Sequence, residues 1–217
     1  IAMADKFREE LKDLKGQVLA QGAFAYGMLS NSMTALQDRD AELAGRVYAQ
    51  RAELAERNLA IEAAALRLIA LYQPMARDLR SIICALRMNV ALFRIGRYGK
   101  DIARLVDEVS VNPQIGNLMG LPHMADLVCA MIDDALRAYR TEDITPIEGM
   151  SRRDNVVDNL RYAIFRESVT YMMEDPKNIT RCIDYVMIAR YLERCGDYAC
   201  DIAEQVCYMV TGERVTM

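Results

Sequence analysis

One histidine, five prolines and eleven glycines are spread over 217 residues, and this scarcity removes several options at the outset. A di-iron carboxylate bundle needs Glu-x-x-His on two helices. The sole histidine, His123, follows Pro122 and has no Glu three positions before it, so it reads as an exposed residue at a helix start. No Ser or Cys stands in a motif with a histidine base, which argues against nucleophilic catalysis. No Gly-x-x-x-x-Gly-Lys-Ser/Thr loop is present to cradle nucleotide phosphates. No apolar run approaches the ~18 residues of a membrane span, and no secretory signal pattern is visible. The chain opens Ile1-Ala2-Met3, with Met3 a candidate natural start. A net charge of −4 and a pI near 5.2 lack the basic stripe of a nucleic-acid binder. The six cysteines contain no C-x-x-C pair. They lie in apolar helical patterns and read as small buried hydrophobes of a reducing cytosol, not as zinc or iron–sulfur ligands.

With few helix breakers and 53% apolar residues, what remains is a chain patterned for long helices. Apolar residues recur at helical spacing from Asp5 to about Gln37, through Leu11, Leu14, Val18, Ala25, Leu29, Met33 and Leu36. Asp40 is positioned as the N-cap of a second helix reaching Tyr72, with Leu43, Val47, Leu54 and Ile61 on one face. Pro74 ends it, because proline has no amide hydrogen to donate. A third helix is expected from Met75 to Val109. Pro, Asn and Gly cluster over residues 111–120, which reads as a linker containing Asn112. A fourth helix is expected from Pro122 to Arg140. Thr145-Pro146-Ile147-Glu148 looks like the capped start of a fifth helix running to Glu174, and Asp175-Pro176 opens a sixth ending near Gly212. No alternating strand pattern competes. The expected fold is all-α: two tandem three-helix bundles, residues 1–110 and 121–217, elongated because helices of ~30 residues are ~45 Å long.

The halves are related in sequence. Leu92-Phe93-Arg94-Ile95-Gly96-Arg97-Tyr98-Gly99-Lys100-Asp101-Ile102-Ala103 returns one hundred residues later as Leu192-Glu193-Arg194-Cys195-Gly196-Asp197-Tyr198-Ala199-Cys200-Asp201-Ile202-Ala203. Seven of the twelve positions are identical, which points to tandem duplication. The second copy carries carboxylates at Glu193, Asp197 and Asp201, four residues apart and so on one helix face. Asp154 and Asp158 form a second such pair on the preceding helix. If the two faces pack together, four or five carboxylates converge, and an all-oxygen cluster suits hard cations such as Mg²⁺, Mn²⁺, Ca²⁺ or iron. The alternative is a solvated acidic face neutralised by local partners such as Arg190 and Arg194.

These residues resemble the PhoU family of accessory and regulatory proteins of phosphate uptake. Gln73-Pro74-Met75-Ala76-Arg77-Asp78-Leu79-Arg80 is similar to the family's hinge between its second and third helices, and Thr170-Tyr171-Met172-Met173-Glu174-Asp175-Pro176-Lys177-Asn178-Ile179 to the hinge of the second repeat. Ala189 to Tyr198, with its Glu193-Arg194-Cys195-Gly196-Asp197, resembles the family's Glu-Arg-Ile-Gly-Asp signature, and the ending Tyr208 to Glu213 matches as well. The resemblance covers nearly the whole chain. It implies two three-helix domains related by a pseudo-twofold axis. It also implies a Glu/Asp-x-x-x-Asp metal motif, bound in several members as a multinuclear iron or other transition-metal cluster. Carried over by residue, the ligands are Asp154, Asp158, Glu193 and Asp197. Asp201 stands where Asn is common in the family. In repeat one, Phe93 and Arg97 replace the acidic residues, with Gln50 and Leu54 expected opposite Asp154 and Asp158. A fixed positive charge there predicts no metal in that half, and Arg97 is expected to pair with Asp101 one turn on.

The implied function is a non-enzymatic cytoplasmic regulator that restrains the phosphate ABC importer and phosphate-responsive signalling. Its implied partners are the importer's ATPase subunit, a phosphate-sensing histidine kinase and a second copy of itself as a homodimer. Two rival readings are a metal-dependent hydrolase of phosphate compounds, for which the chain offers no separate general base or substrate clamp, and a metal-free dimerising bundle.

Overall fold

The computed structural model describes residues 2–111 and 113–217; Ile1 and the linker residue Asn112 lie outside the described residues. Helical periodicity is realised throughout, and no strand occurs among the described residues. The helices are α1 (Ala2–Asp38), α2 (Ala41–Ala49), α3 (Arg51–Tyr72), α4 (Ala76–Ser110), α5 (Leu121–Thr141), α6 (Met150–Glu174) and α7 (Ile179–Thr211). The 35 residues of α4 span ~52 Å at 1.5 Å per residue.

Several boundaries follow directly from side-chain chemistry. Asp40 caps α2 as expected, its Oδ1 accepting from the Leu43 amide at 2.9 Å. The single helix expected from Asp40 to Tyr72 is divided at Gln50. There the Gln50 amide donates to Val47 O at 3.1 Å, a tightened turn that continues the same rod with no breaker residue. Gln73 adopts φ +46° and closes α3 ahead of Pro74. The fifth expected helix starts later than Thr145. Asp143 Oδ1 accepts from both the Thr145 amide and its hydroxyl, at 2.9 and 2.8 Å, which ties Thr145 into a turn with the residues before it. Residues Thr145–Ile147 form one 3₁₀ turn, and α6 begins at Met150 after Gly149. Asp175 does cap a 3₁₀ turn, Pro176–Asn178, which runs on into α7.

Each repeat is a three-rod unit. α1, the α2–α3 rod and α4 pack together, and α5, α6 and α7 do the same. The halves meet where α4 lies along α7 and α1 touches α5. At that seam Tyr98 stacks on Tyr191 with ring centroids 5.4 Å apart, and lies 6.3 Å from Tyr198, its own counterpart in the second repeat. Inside repeat one, Gly99 permits a close approach of α4 to α1: a Cβ there would lie 2.8 Å from Met28 C and Leu29 N. The core is apolar and continuous across both units, including Leu29, Leu92, Ile95, Val128, Ile188 and Leu192. Five of the six cysteines are buried and all are free thiols; burial pushes the Cys84 and Cys200 thiols up to about 12.

The connection between units makes a left-handed turn. Gly116, Asn117, Leu118, Met119 and Gly120 all have positive φ, from 46° to 79°. For the three non-glycine residues that conformation costs roughly 1–2 kcal/mol each. Burial of Leu118 and Met119 offsets the cost, and the Ile115 amide donates to Tyr185 Oη at 3.3 Å.

Candidate metal centre

On α6, Asp154, Asp158 and Arg161 follow at helical spacing on the side that faces α7. On α7, Gly196 lies between Glu193 and Asp197. A Cβ at Gly196 would stand 3.0 Å from Asp154 Oδ1 and 3.6 Å from Val157 Cγ1. The missing side chain thus opens a place for the Asp154 carboxylate against the α7 backbone. Burial, together with the charges of Asp197, Asp158 and Glu193, pushes the Asp154 carboxyl up to about 6. Carboxylates from both helices therefore bear on Asp154.

Glu193 is only 7% exposed. Burial and then Asp197 raise its carboxyl, and Arg190, Arg194 and Arg161 oppose the rise. Its Oε1 accepts from Arg190 Nη1 at 2.6 Å and lies 3.6 Å from Arg161 Nε. Its Oε2 is 3.7 Å from Arg194 Nε but accepts no hydrogen bond. Asp197 Oδ2 accepts from Arg194 Nη1 at 2.9 Å. The local arginine pairs of the solvated-face alternative are thus present alongside the convergence of carboxylates. Arg161 went unread in the sequence, although its position three residues after Asp158 places it on the same face. In this side-chain arrangement no three His, Cys, Asp or Glu among the described residues are gathered about one point.

Asp201 stands one turn beyond Asp197 on α7. It lines an open cleft with Arg87, Val90, Tyr198 and Glu204, between α7 and α4. Burial and Glu204 raise its carboxyl, Asp197 adds to this, and Arg87 opposes it. Its charge is not among those acting on Asp154.

The corresponding place in repeat one differs in register from the expectation. The buried positions Val47, Leu54, Ile61 and Ala65 match Met150, Val157, Ile164 and Ser168, a constant offset of 103 residues. Leu54 packs over Gly96, where a Cβ would meet its Cδ1 at 2.7 Å, as Val157 flanks Gly196. Arg51 and Ala55, not Gln50 and Leu54, therefore stand opposite Asp154 and Asp158. Asp101 pairs with Lys100 at 2.7 Å, so the expected Arg97–Asp101 pair is not formed.

The PhoU domain family model matches residues 19–106 and 121–206, one match per repeat. The chain is 38% identical over 211 residues to a phosphate-specific transport system accessory protein PhoU homolog of Caulobacter vibrioides, covering 97% of this chain and 92% of that protein. It is 37% identical to the homolog of Rhizobium meliloti, covering 95% and 87% of the two chains. The crystal structure of PhoU from Pseudomonas aeruginosa superposes with a TM-score of 0.91 at 32% identity, over 95% of this chain and 100% of that one. The phosphate transport system regulatory protein PhoU from Streptococcus pneumoniae gives 0.88 at 28% identity, over 97% and 100%. Two family matches on two structurally equivalent units, with likeness running along nearly the full length of chain and relatives alike, place this protein in the PhoU family.

Proposed function

We propose that this protein is a non-catalytic regulator of phosphate uptake and phosphate homeostasis that restrains the phosphate ABC importer and phosphate-responsive signalling. The observation that carries the reading is the near-complete coverage of accessory proteins of phosphate-specific transport, in sequence and in fold. The partners are the importer's ATPase subunit and a phosphate-sensing histidine kinase, with the regulator acting as a homodimer in the cytoplasm, where that subunit works. Among the described residues no helix is long and apolar enough to cross a membrane; contact with the importer runs through helix surfaces.

The second repeat fits a bound cation. Its donors are all carboxylate oxygens, the Asp154 carboxyl is raised by burial and then by its acidic neighbours, and Glu193 Oε2 is a buried acceptor without a hydrogen-bond partner among the described residues. A divalent cation, iron foremost, would relieve both strains. Asp154, Asp158, Glu193 and Asp197 would hold it, the last two in place of their present arginine partners, with Asp201 at the margin. Bound there, the metal would organise the α6–α7 face for recognition.

Capture from cell extract with the tagged full chain tests the regulatory role. Recovery of an importer ATPase or a phosphate-signalling kinase is expected, with yield that changes between phosphate-rich and phosphate-poor growth. Recovery of neither under both conditions would overturn the proposal.

A further inference from the structure

The metal positions of repeat two are matched in repeat one by a site of opposite sign. At the offset set by burial, Asp154 is replaced by Arg51; at the offset of one hundred, Asp197 is replaced by Arg97 and Glu193 by Phe93. Arg51, Arg97 and Lys100 line one cleft of about 260 Å³, with Leu54 and Phe93 as its apolar walls. The guanidinium of Arg51 lies 4.5 Å from the Tyr48 ring centroid and donates to Tyr48 O at 3.2 Å. That of Arg97 lies 6.0 Å from the Phe93 centroid. The aromatic rings therefore hold both guanidiniums, and neither has a carboxylate partner among the described residues. Lys100 is matched by Asp101. Three cations and one carboxylate leave two positive charges facing an open cleft.

We propose that this cleft binds a dianionic oxyanion of the phosphate class. Guanidinium groups present paired donors that match tetrahedral phosphate oxygens, and a phosphate monoester carries roughly −1.5 to −2 at pH 7, which balances the two uncompensated charges. A side-chain carboxylate brings one charge and leaves a guanidinium unmatched. Free inorganic phosphate and the phosphate group of a monoester share this chemistry. The site is independent of the metal proposed for repeat two.

The test is calorimetric titration of the full chain, treated with chelator, at low ionic strength, because screening weakens exposed charge pairs. Inorganic phosphate is the first probe, with a nucleoside monophosphate, sulfate and acetate titrated in parallel. One phosphate per chain is expected. Arg97→Gln and Arg51→Gln each weaken binding at least about tenfold, Arg97→Lys restores part of the loss, and Asp197→Asn leaves binding unchanged. Both arginines are exposed, and helical content by circular dichroism verifies that the variants fold. Tighter binding of the monoester than of inorganic phosphate supports the site and assigns its source to a phosphorylated ligand. No heat of binding from either at about 10 mM, a limit near −3 kcal/mol, overturns the proposal. So does wild-type affinity in the Arg51→Gln/Arg97→Gln double variant, or acetate binding as tightly as phosphate. Phosphate binding that needs added metal and disappears with Asp197→Asn also overturns it, since the anion would then sit on the metal of the other repeat.

Discussion

Asp154 occupies the space that a side chain at residue 196 would fill: its Oδ1 lies 3.0 Å from where a Gly196 Cβ would stand. Gly196 thus trades helix propensity for a carboxylate seated against a neighbouring backbone. Alanine there gains about 1 kcal/mol of helix propensity and displaces only the end of a flexible side chain. Gly196→Ala is therefore expected to change stability by less than about 1 kcal/mol in urea unfolding, while bound metal per chain falls. Full metal content would show that the close seat is not needed.

At Gly99 the outcome is different. The atoms that a Cβ would meet belong to the α1 backbone, at 2.8 Å, and cannot rotate away. Gly99→Ala should force α1 and α4 apart and cost roughly 1–3 kcal/mol, read as a lower urea midpoint with an unchanged slope. A midpoint equal to wild type would mean that the helices separate freely.

The cation proposed for repeat two depends most directly on Asp197, which acts on Asp154, Glu193 and Asp201 alike. Elemental analysis of Asp197→Asn protein should find less metal per chain than in wild type, and the Glu193→Gln variant should behave similarly. An undiminished stoichiometry in Asp197→Asn removes the site from α6 and α7.

Stability without metal should fall as pH rises through the range of Asp154. Its folded carboxyl titrates at about 6 against an ordinary value of 3.8. The folded state then holds the proton more tightly than the unfolded one, so the stability present below the ordinary value is lost as pH rises towards and past 6. Glu193 and Asp201 are raised as well and act with the same sign. Chelated protein should melt at a higher temperature at pH 5 than at pH 7. Asp154→Asn should remove much of that difference, a change of about 1 kcal/mol once the full shift is discounted for a partly solvated group. A melting temperature that rises from pH 5 to pH 7 in chelated wild type would contradict the assignment.

Glu142 shows the reverse sign. It accepts from Lys15 at 2.9 Å and Arg77 at 2.7 Å, joining α1 and the start of α4 to the end of α5. The Lys15 hydrogen bond, with the charges of Lys15 and Arg77, lowers its carboxyl despite partial burial. Its contribution is present above the ordinary carboxylate range and lost as pH falls through the lowered value. Glu142→Gln should cost about 0.5–1 kcal/mol at pH 7 in low salt, and less in 0.5 M salt. Identical unfolding curves at both salt concentrations would show the bridge to be energetically silent.

The rods and most of their ends were legible because apolar spacing, Asp40 and the Pro74 and Pro176 hinges act locally. The acidic pairs were legible because residues four apart share a helix face whatever the tertiary context. The division at Gln50 was not, since no residue there forbids a helix. Nor was the later helix start beyond Thr145, since Thr145–Ile147 form a separate 3₁₀ turn and α6 begins only at Met150 after Gly149. The position of Arg51 opposite Asp154 depends on which face of α3 rests on Gly96, and that register exists only once the helices are packed.

Tyr98 and Tyr198 are equivalent positions that meet near the axis relating the two repeats. In an assembly of two identical halves, every substitution beside such an axis arrives from both sides at once, and a gain on one side is constrained by its mirror effect on the other. Joined in a single chain, each half mutates alone. The tyrosine seam can then stay constant while the outer face of one α4-type helix takes Arg97 and its sister helix takes Asp197, so a half-turn of the molecule exchanges shape without exchanging charge. A binding partner that recognises the helical surface can therefore tell one half of this nearly symmetric molecule from the other, and bind it in one orientation.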